Sequence, residues 1–489
     1  MRAPRKKPTR KNAPVIAVRL NRQLSPQMQA DGSITVSVDG NFINLGHLSP
    51  AAMERARGLT DGLPLAFFAG KSAIAREVDA LARRLVRHGL LEYRLAFPRD
   101  GRDLVVIEPQ VAEYWPRRGK LRESDTVVLS RFAYLRRRGN EMVLESPCAG
   151  ALFRIGDPAI AATLAALSQP LKISRLRRGN AAFILELLEL LLENQILLKL
   201  GEKSGDGLRV NEGDGNLVLW DFHDLLFHTR STEGRQSNPV GSTFAYAGVA
   251  SPLPGVRPPW PGKKIDLREF SKSAAISPFA RLLRERRSTR DFDDQRPITL
   301  AELARFLDSA ARVLSEWKST ANSESGPEVT YTTRPYPAAG SAYELELYLA
   351  VSNCEGLARG LYHYDAGGHA LTGIEVPAQQ LQALSSAAVF AMDAPGPPQV
   401  LITITARFGR LSWKYSSIAY SLILKDVGSM LQTLYLTATD MGLGGCAIGT
   451  GNIDLFAQMT GLDFHVEGPV GQFALGRGKN QLNSEMPGT

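Results

Sequence analysis

Cysteine is scarce: the 489 residues hold three, Cys148, Cys354 and Cys446, far apart and odd in number. Such a set excludes a disulfide framework, and with no His or Cys at ligand spacing it excludes a cysteine zinc site. Each reads as a small buried hydrophobe. Long apolar runs are missing too. The most apolar stretch, 183 to 200, is broken by Glu186, Glu189 and Glu193, whose near-helical spacing suits an amphipathic helix and not a membrane span. No apolar segment follows the basic N-terminus, so no secretory signal is expected and the cytoplasm is the expected compartment.

Hydrophobic residues at 44% and charged residues at 22% are ordinary for a globular protein, and the length suggests two or three domains. Net charge is +9, and Arg2, Arg5, Lys6, Lys7, Arg10 and Lys11 supply six of those charges. A nucleic-acid partner would have to use this tail. A solvated, disordered segment over 1–19 is the simpler expectation, so neither nucleic acid nor membrane is expected as a partner.

Short strands alternate with helices from about 20 to 205, and the pattern repeats at an offset of about 107. Leu81, Leu85, Leu90 and Leu91 fall on Leu188, Leu192, Leu197 and Leu198, and Gly32 to Val36 fall on Gly139 to Val143. Each copy reads as a hairpin with a Gly turn, then helices, the last ending in a Leu-Leu pair. That is a winged-helix-like α+β plan, giving two modules, 20–115 and 120–205. Such a module could enter a DNA groove, or its strand edge could pair with a peptide. Arg136, Arg137 and Arg138, with Arg175, Arg177 and Arg178, could meet phosphates, acidic residues of a peptide, or only water. A Gly-, Ser- and Pro-rich linker follows over 206–275, where Pro252, Pro254, Pro258, Pro259 and Pro261 favour extended backbone. Within it His223 and His228 stand five apart with Asp224 between. They do not share a helical face as an i, i+4 pair would, so no metal is expected.

From 276 to 489 the sequence reads as one α+β domain with four stretches that could carry chemistry. Residues 284–292 pack Arg284, Arg286, Arg287 and Arg290 around Ser288 and Thr289, and Thr299 with Glu302 can then cap a helix. Arginine suits bidentate phosphate contact. Residues 334–343 place Ala339, Gly340 and Ser341 in a Pro/Gly loop before the alternating strand 345–351, and Gly permits close backbone approach to a flat ring. In 422–450, Leu424, Val427, Leu431, Leu434 and Ala438 share a helical face that ends at Gly442, Gly444 and Gly445, followed by Ile448 and Gly449. The last is the adjacent pair Lys414 and Tyr415. Near the C-terminus, Gly476-Arg477-Gly478 closes a final strand.

In this order the stretches resemble the nitroreductase superfamily, and the Lys-Tyr pair resembles its SagB/McbC-type dehydrogenases, the azoline oxidases. The resemblance implies an α+β domain, a mainly antiparallel sheet wrapped by helices, that works as a homodimer with FMN between subunits. It implies that Arg286, Arg287, Ser288 and Arg290 hold the flavin phosphate and ribityl chain. Ala339, Gly340 and Ser341 would meet the ring of the partner subunit's flavin, Ile448 and Gly449 would cross the ring, and Arg477 would be a further phosphate ligand. Lys414 and Tyr415 would be the catalytic base pair, since turning an azoline into an azole removes a proton as well as a hydride. The chain departs from the family at Ala338 (usually Ser), Glu344 (often Pro), Ser429 (His) and Thr433 (Asn). Residues 132–200 resemble a PqqD-type peptide-recognition domain, and 220–231 resemble the segment leading into SagB-type catalytic domains. The implied activity is FMN-dependent oxidation of thiazolines or oxazolines in a ribosomally made, modified peptide, with a cyclodehydratase of the same pathway as a further expected partner. A general NAD(P)H-dependent nitro- or quinone reductase, and a non-catalytic peptide-binding scaffold with a degenerate flavin domain, are the alternatives.

Overall fold

The computed structural model describes residues 14–21, 27–28, 33–38, 41–97, 103–177, 184–201, 216–235, 241, 244, 246–271, 275–321 and 326–479. The six tail cations and Arg178 lie outside them. The chain divides into two compact units, one running to Arg230 with 234–237, the other holding 231–233 and everything from Asn238 onwards.

The first unit contains the repeat, element for element. In copy one a three-stranded arrangement orders Leu63–Pro64, Val15–Leu20 and Leu91–Ala96, all antiparallel; in copy two Leu171–Lys172, Thr126–Leu129 and Leu197–Leu200 do the same. Each copy adds a meander: Gln27–Met28, Ser33–Val38 and Asn41–His47 in one, Tyr134–Arg138, Glu141–Glu145 and Ala151–Ile155 in the other. The copies do not remain separate sheets. Strand Asp103–Pro109 pairs with Leu91–Ala96 on one side and Ala151–Ile155 on the other, so strands of both modules share one seven-stranded sheet.

The Leu-Leu pairs fall differently from the expectation. Helices Ala73–Arg87 and Ile184–Glu193 end first, each followed by a left-handed residue, Gly89 at φ 67° and Gln195 at φ 55°. The leucines then enter the next strand, where Leu91 faces Leu20 and Leu197 faces Leu129. A helix and a fully buried strand both tolerate an apolar pair, so periodicity could not place that boundary. Across the shared sheet runs an ion network: buried Arg19 meets Glu92 at 2.6 Å and Asp103 at 2.9 Å, and Arg154 of the second copy meets Glu92 at 3.1 Å.

In the second unit, residues 251–267 carry no helix or strand, in keeping with the prolines at 252–261, and Leu253, Trp260, Ile265 and Leu267 are largely exposed. The remainder is built on a six-stranded antiparallel sheet ordered Ala370–Ile374, Gly360–Asp365, Leu345–Val351, Val400–Arg407, Glu467–Gly476 and Gly444–Ile448. Helices Leu300–Ala311, Ala378–Met392, Ala419–Asp440 and Ile453–Thr460 flank it. The first of these starts with the expected capping box between Thr299 and Glu302. The 22-residue helix Ala419–Asp440 buries Val427, Leu434 and Ala438 of the face read from sequence, while Ile423 and Met430, with Asp426, are buried where Leu424 and Leu431 were expected. Among the described residues no helix is long and apolar enough to cross a membrane.

Candidate flavin and proton-transfer site

The arginine run lies just past helix Pro278–Glu285, where the chain turns extended and joins the strand Gly444–Ile448. Ser288 bridges to Gly445, and the Thr289 amide donates to the Gly445 carbonyl at 2.8 Å. This close seating explains Gly444: any β-carbon there would lie 2.6 Å from the Thr289 methyl. Tyr435, which the sequence reading missed, ties the region together. Its hydroxyl lies 2.9 Å from Ser288 Oγ and accepts from the Ala447 amide at 2.8 Å, while the Arg286 guanidinium lies 4.9 Å from its ring centre. The only advance signal was its position on the long helix, one turn from the Leu431 face.

Among the described residues, neither Arg286 nor Arg290 has a carboxylate partner, and Arg290 is exposed. Two guanidiniums lacking acidic partners beside a serine hydroxyl are a donor set that suits a phosphate ester. Arg287 is exposed on the same turn. Arg477 is placed otherwise. Its guanidinium donates to both oxygens of Glu302 at 2.9 Å, so the capping-box carboxylate already holds the cation that was expected on phosphate. Ile448 also departs from expectation: its side chain is buried in the cluster with Cys446 and Phe456. Strand alternation then leaves Ala447 and Gly449 on the open side, and a β-carbon on Gly449 would meet nothing within 4 Å.

A second cluster forms around the Pro/Gly loop. Gly340 (φ 54°), Ser341 (φ 55°) and Tyr343 (φ 47°) all take left-handed backbone. Lys414 Nζ donates to the Gly340 carbonyl at 2.9 Å and lies 5.1 Å from the Tyr331 ring centre. A β-carbon on Gly340 would sit 2.5 Å from both Lys414 Nζ and the Tyr415 hydroxyl. The structure thus brings Ala339–Ser341 and the Lys-Tyr pair together within one chain. Both clusters stand along the long helix: Asp426 accepts from the Ala339 amide at 2.8 Å, and Tyr435 lies nine residues, about 13 Å of helix, further on.

Behind the loop sits an acid pair that no sequence pattern announced. Glu344 is fully buried, and its carboxyl lies within hydrogen-bonding reach of the Asp426 carboxyl, a bond that needs one proton between the two acceptors. Burial, followed by the neighbouring Asp426 charge, pushes the Glu344 carboxyl up to about 8, and burial raises Asp426 as well. The family substitutions at Ser429 and Thr433 are self-satisfied, each hydroxyl donating to the helix carbonyl four residues back. In the first unit, two of the three hairpin arginines are held in-chain, Arg136 by Glu145 and Arg138 by Glu108, each at 2.6 Å. Asp221, His223 and Asp224 converge within 4.8 Å, whereas the two histidines were the feature noticed in sequence.

An antiparallel sheet flanked by one long helix, an anion-ready arginine turn and a glycine cradle is the layout of a nitroreductase-type flavin oxidoreductase. Comparison with known proteins agrees: residues 283–477 match the nitroreductase family, and residues 127–237 match the family described as cyanobactin oxidase ThcOx. A Methanocaldococcus jannaschii protein named as a nitroreductase is 28% identical over 170 residues, 34% of this chain and 76% of its own. The trifolitoxin-processing protein TfxB of Rhizobium leguminosarum bv. trifolii is 26% identical over 147 residues, 29% of this chain and 39% of its own. Among solved structures, the E. coli microcin synthetase McbBCD complex with truncated pro-MccB17 bound is similar at TM-score 0.38 and 19% identity, over 58% of this chain and 100% of that one. Residues 283–477 of the second unit thus form a nitroreductase-like domain, and that family is flavin-dependent.

Proposed function

We propose that the chain is an FMN-dependent azoline oxidase that converts thiazoline or oxazoline rings of a ribosomally made precursor peptide to azoles. The observation that carries this reading is the convergence of Lys414 and Tyr415 on the Gly340 turn. A reductase that only passes hydride between dinucleotide and acceptor needs no such pair.

FMN, when bound, supplies the acceptor for the hydride leaving the azoline. Arg286, Arg287, Ser288 and Arg290 would hold its phosphate and ribityl chain. Ala447, Gly449 and the Gly340 turn would leave room for the ring, the turn serving the partner subunit's flavin in a homodimer. The proton on the former α-carbon must go to a base of this chain, and Lys414 and Tyr415 are the groups able to take it. Comparing Lys414→Ala with Tyr415→Phe assigns which does. The first unit would hold the precursor's leader. An edge strand, Tyr134–Arg138, with exposed Leu135, and a recess of about 610 Å3 lined by Met142, Arg154 and Ile155, support a peptide partner there.

Mass spectrometry of a heterocyclised peptide incubated with the yellow, flavin-loaded protein tests the reading. Loss of about two daltons per ring, from removal of two hydrogens, is the expected result. An unchanged mass, with NAD(P)H oxidation on nitro compounds or quinones that survives Lys414→Ala, would favour the general reductase. Purified protein that is colourless and takes up no FMN would leave only the scaffold.

A further inference from the structure

The loop that carries Gly340 is held in an unfavourable shape. Left-handed backbone costs a non-glycine residue about 1–2 kcal/mol, and Ser341 and Tyr343 both adopt it within three residues. Something outside the loop must fix it, and the anchors are visible. The Ala339 amide donates to Asp426 on the long helix at 2.8 Å. Arg410 donates to the Ala342 carbonyl and, at 2.8 Å, to that of Thr330; Arg334 donates to the Leu345 carbonyl at 3.1 Å.

The ionisable groups that act on Glu344 include the anchors of this loop. Asp426 approaches from the long helix, Arg410 from the short helix Phe408–Ser412, Arg334 from the preceding loop, and the Tyr336 phenol from the same loop. The two arginines direct donors at backbone carbonyls, and neither forms an ion pair with Glu344 among the described residues. A lone carboxylate buried without partners is very costly. Two carboxylates side by side in such a place cannot both be charged at little cost, so one proton between them is the stable state.

We propose that Glu344 and Asp426 are positioning residues: a carboxyl pair sharing one proton, which keeps Asp426 on the Ala339 amide and so keeps the Gly340 turn under Lys414 and Tyr415. When the shared proton is lost, the two charges repel, Asp426 withdraws from Ala339, and the turn loosens. The functional consequence rests on the azoline-oxidase reading above; the structural consequence does not.

The test uses the full-length protein and begins with a measurement that needs no activity. Amide exchange of the 336–345 segment, corrected for its intrinsic pH dependence, is followed from pH 6 to pH 9.5, a range set to bracket the raised Glu344 ionisation. Protection should fall about tenfold across the alkaline part, the scale of one hydrogen bond to a charged group, while exchange in the sheet strand Val400–Arg407 stays constant. Glu344→Gln, neutral and of the same shape, should abolish that fall. Asp426→Asn, which keeps an oxygen for the Ala339 amide, should stay protected, whereas Asp426→Ala should be loose at every pH. Protection independent of pH in the wild type, or an unaltered fall in Glu344→Gln, overturns the proposal. Azole formation is then read over the same range: its alkaline limb should shift or vanish in Glu344→Gln. If exchange behaves as expected but no variant forms azoles, the oxidase reading fails and the carboxyl pair stands.

Discussion

Gly340 is where local backbone chemistry and the expected reaction meet most closely. An added methyl would sit 2.5 Å from two side-chain tips, Lys414 Nζ and the Tyr415 hydroxyl. Both tips belong to flexible side chains that can swing aside, so the fold should tolerate Gly340→Ala at about 1–2 kcal/mol, the cost of left-handed backbone for alanine. The displaced tips are the proposed base pair, and misplacement by about 1 Å can cost about a hundredfold in rate. Gly340→Ala should therefore lower azole formation per bound flavin at least tenfold with a small change in the melting temperature. Lys414→Ala should abolish azole formation while leaving any dinucleotide-driven nitroreduction. Glu344 makes a separate prediction about stability. Its folded-state carboxyl is raised above the ordinary carboxylate range, to about 8. The folded form thus binds a proton that the unfolded chain releases above its ordinary value. That contribution is full at acid pH and is lost as pH rises from the ordinary carboxylate range to the raised value, so the second unit should weaken with rising pH up to about 8 and level off above it in urea titrations. Glu344→Gln should flatten that dependence.

At the scale of elements, the shared sheet of the first unit is joined by charge as well as by backbone. Glu92 is buried and holds Arg19 from its own copy and Arg154 from the other. Removing one partner of a buried pair typically costs about 3–5 kcal/mol. Arg19 would keep Asp103, so Glu92→Ala belongs near the lower end, about 3 kcal/mol. The exposed Lys318–Glu328 pair, 60% exposed on both sides, supplies the contrast: breaking it should change stability by less than about 1 kcal/mol. Denaturant midpoints of the two variants measure both. Much of this architecture was legible beforehand, because apolar spacing reports which face is buried. The offset of 107 mapped strand onto strand, and Thr299 with Glu302 gave a cap. The sharing of one sheet by both copies was not legible, since the pairing of Asp103–Pro109 with Ala151–Ile155 depends on partners with no local signature. The candidate site divides the same way. Gly340, Lys414 and Tyr415 carry a local pattern and converge, whereas the pairing of Arg477 with Glu302 and the burial of the Ile448 side chain have no local signature, because an acidic partner and a strand's facing are tertiary facts. Tyr435 and Asp426 were overlooked because a lone Tyr or Asp in a helix reads as surface, and Glu344 was noticed only as a departure from the family, its burial having no local signature.

At the scale of the whole molecule, the division near residue 231 decides which truncation is informative. A cut at 205 would leave helix Phe222–Ser231 behind, although Arg230 on that helix pairs with Glu145 of the first unit at 2.5 Å. Removing 1–230 takes the first unit except 234–237, whose Arg235 bonds the Cys148 carbonyl, and leaves 231–233, whose Glu233 bonds Gly451 and Ile453 in the second. If the first unit holds the leader of the precursor, it raises the local concentration of rings around Lys414 without adding any contact to a ring itself. Linked binding of that kind is worth about 100- to 10,000-fold. Use of a leader-bearing precursor at low concentration should then fall by at least tenfold in the truncated protein. Use of a short leaderless azoline peptide should change little, because on the proposed reading the groups that take the proton and hold the flavin all belong to the second unit. Equal losses on the two substrates would mean that the first unit supports the catalytic fold and not the substrate. Gel filtration with flavin absorbance separates that outcome, since a second unit that kept its dimer and its flavin would have lost only the tether.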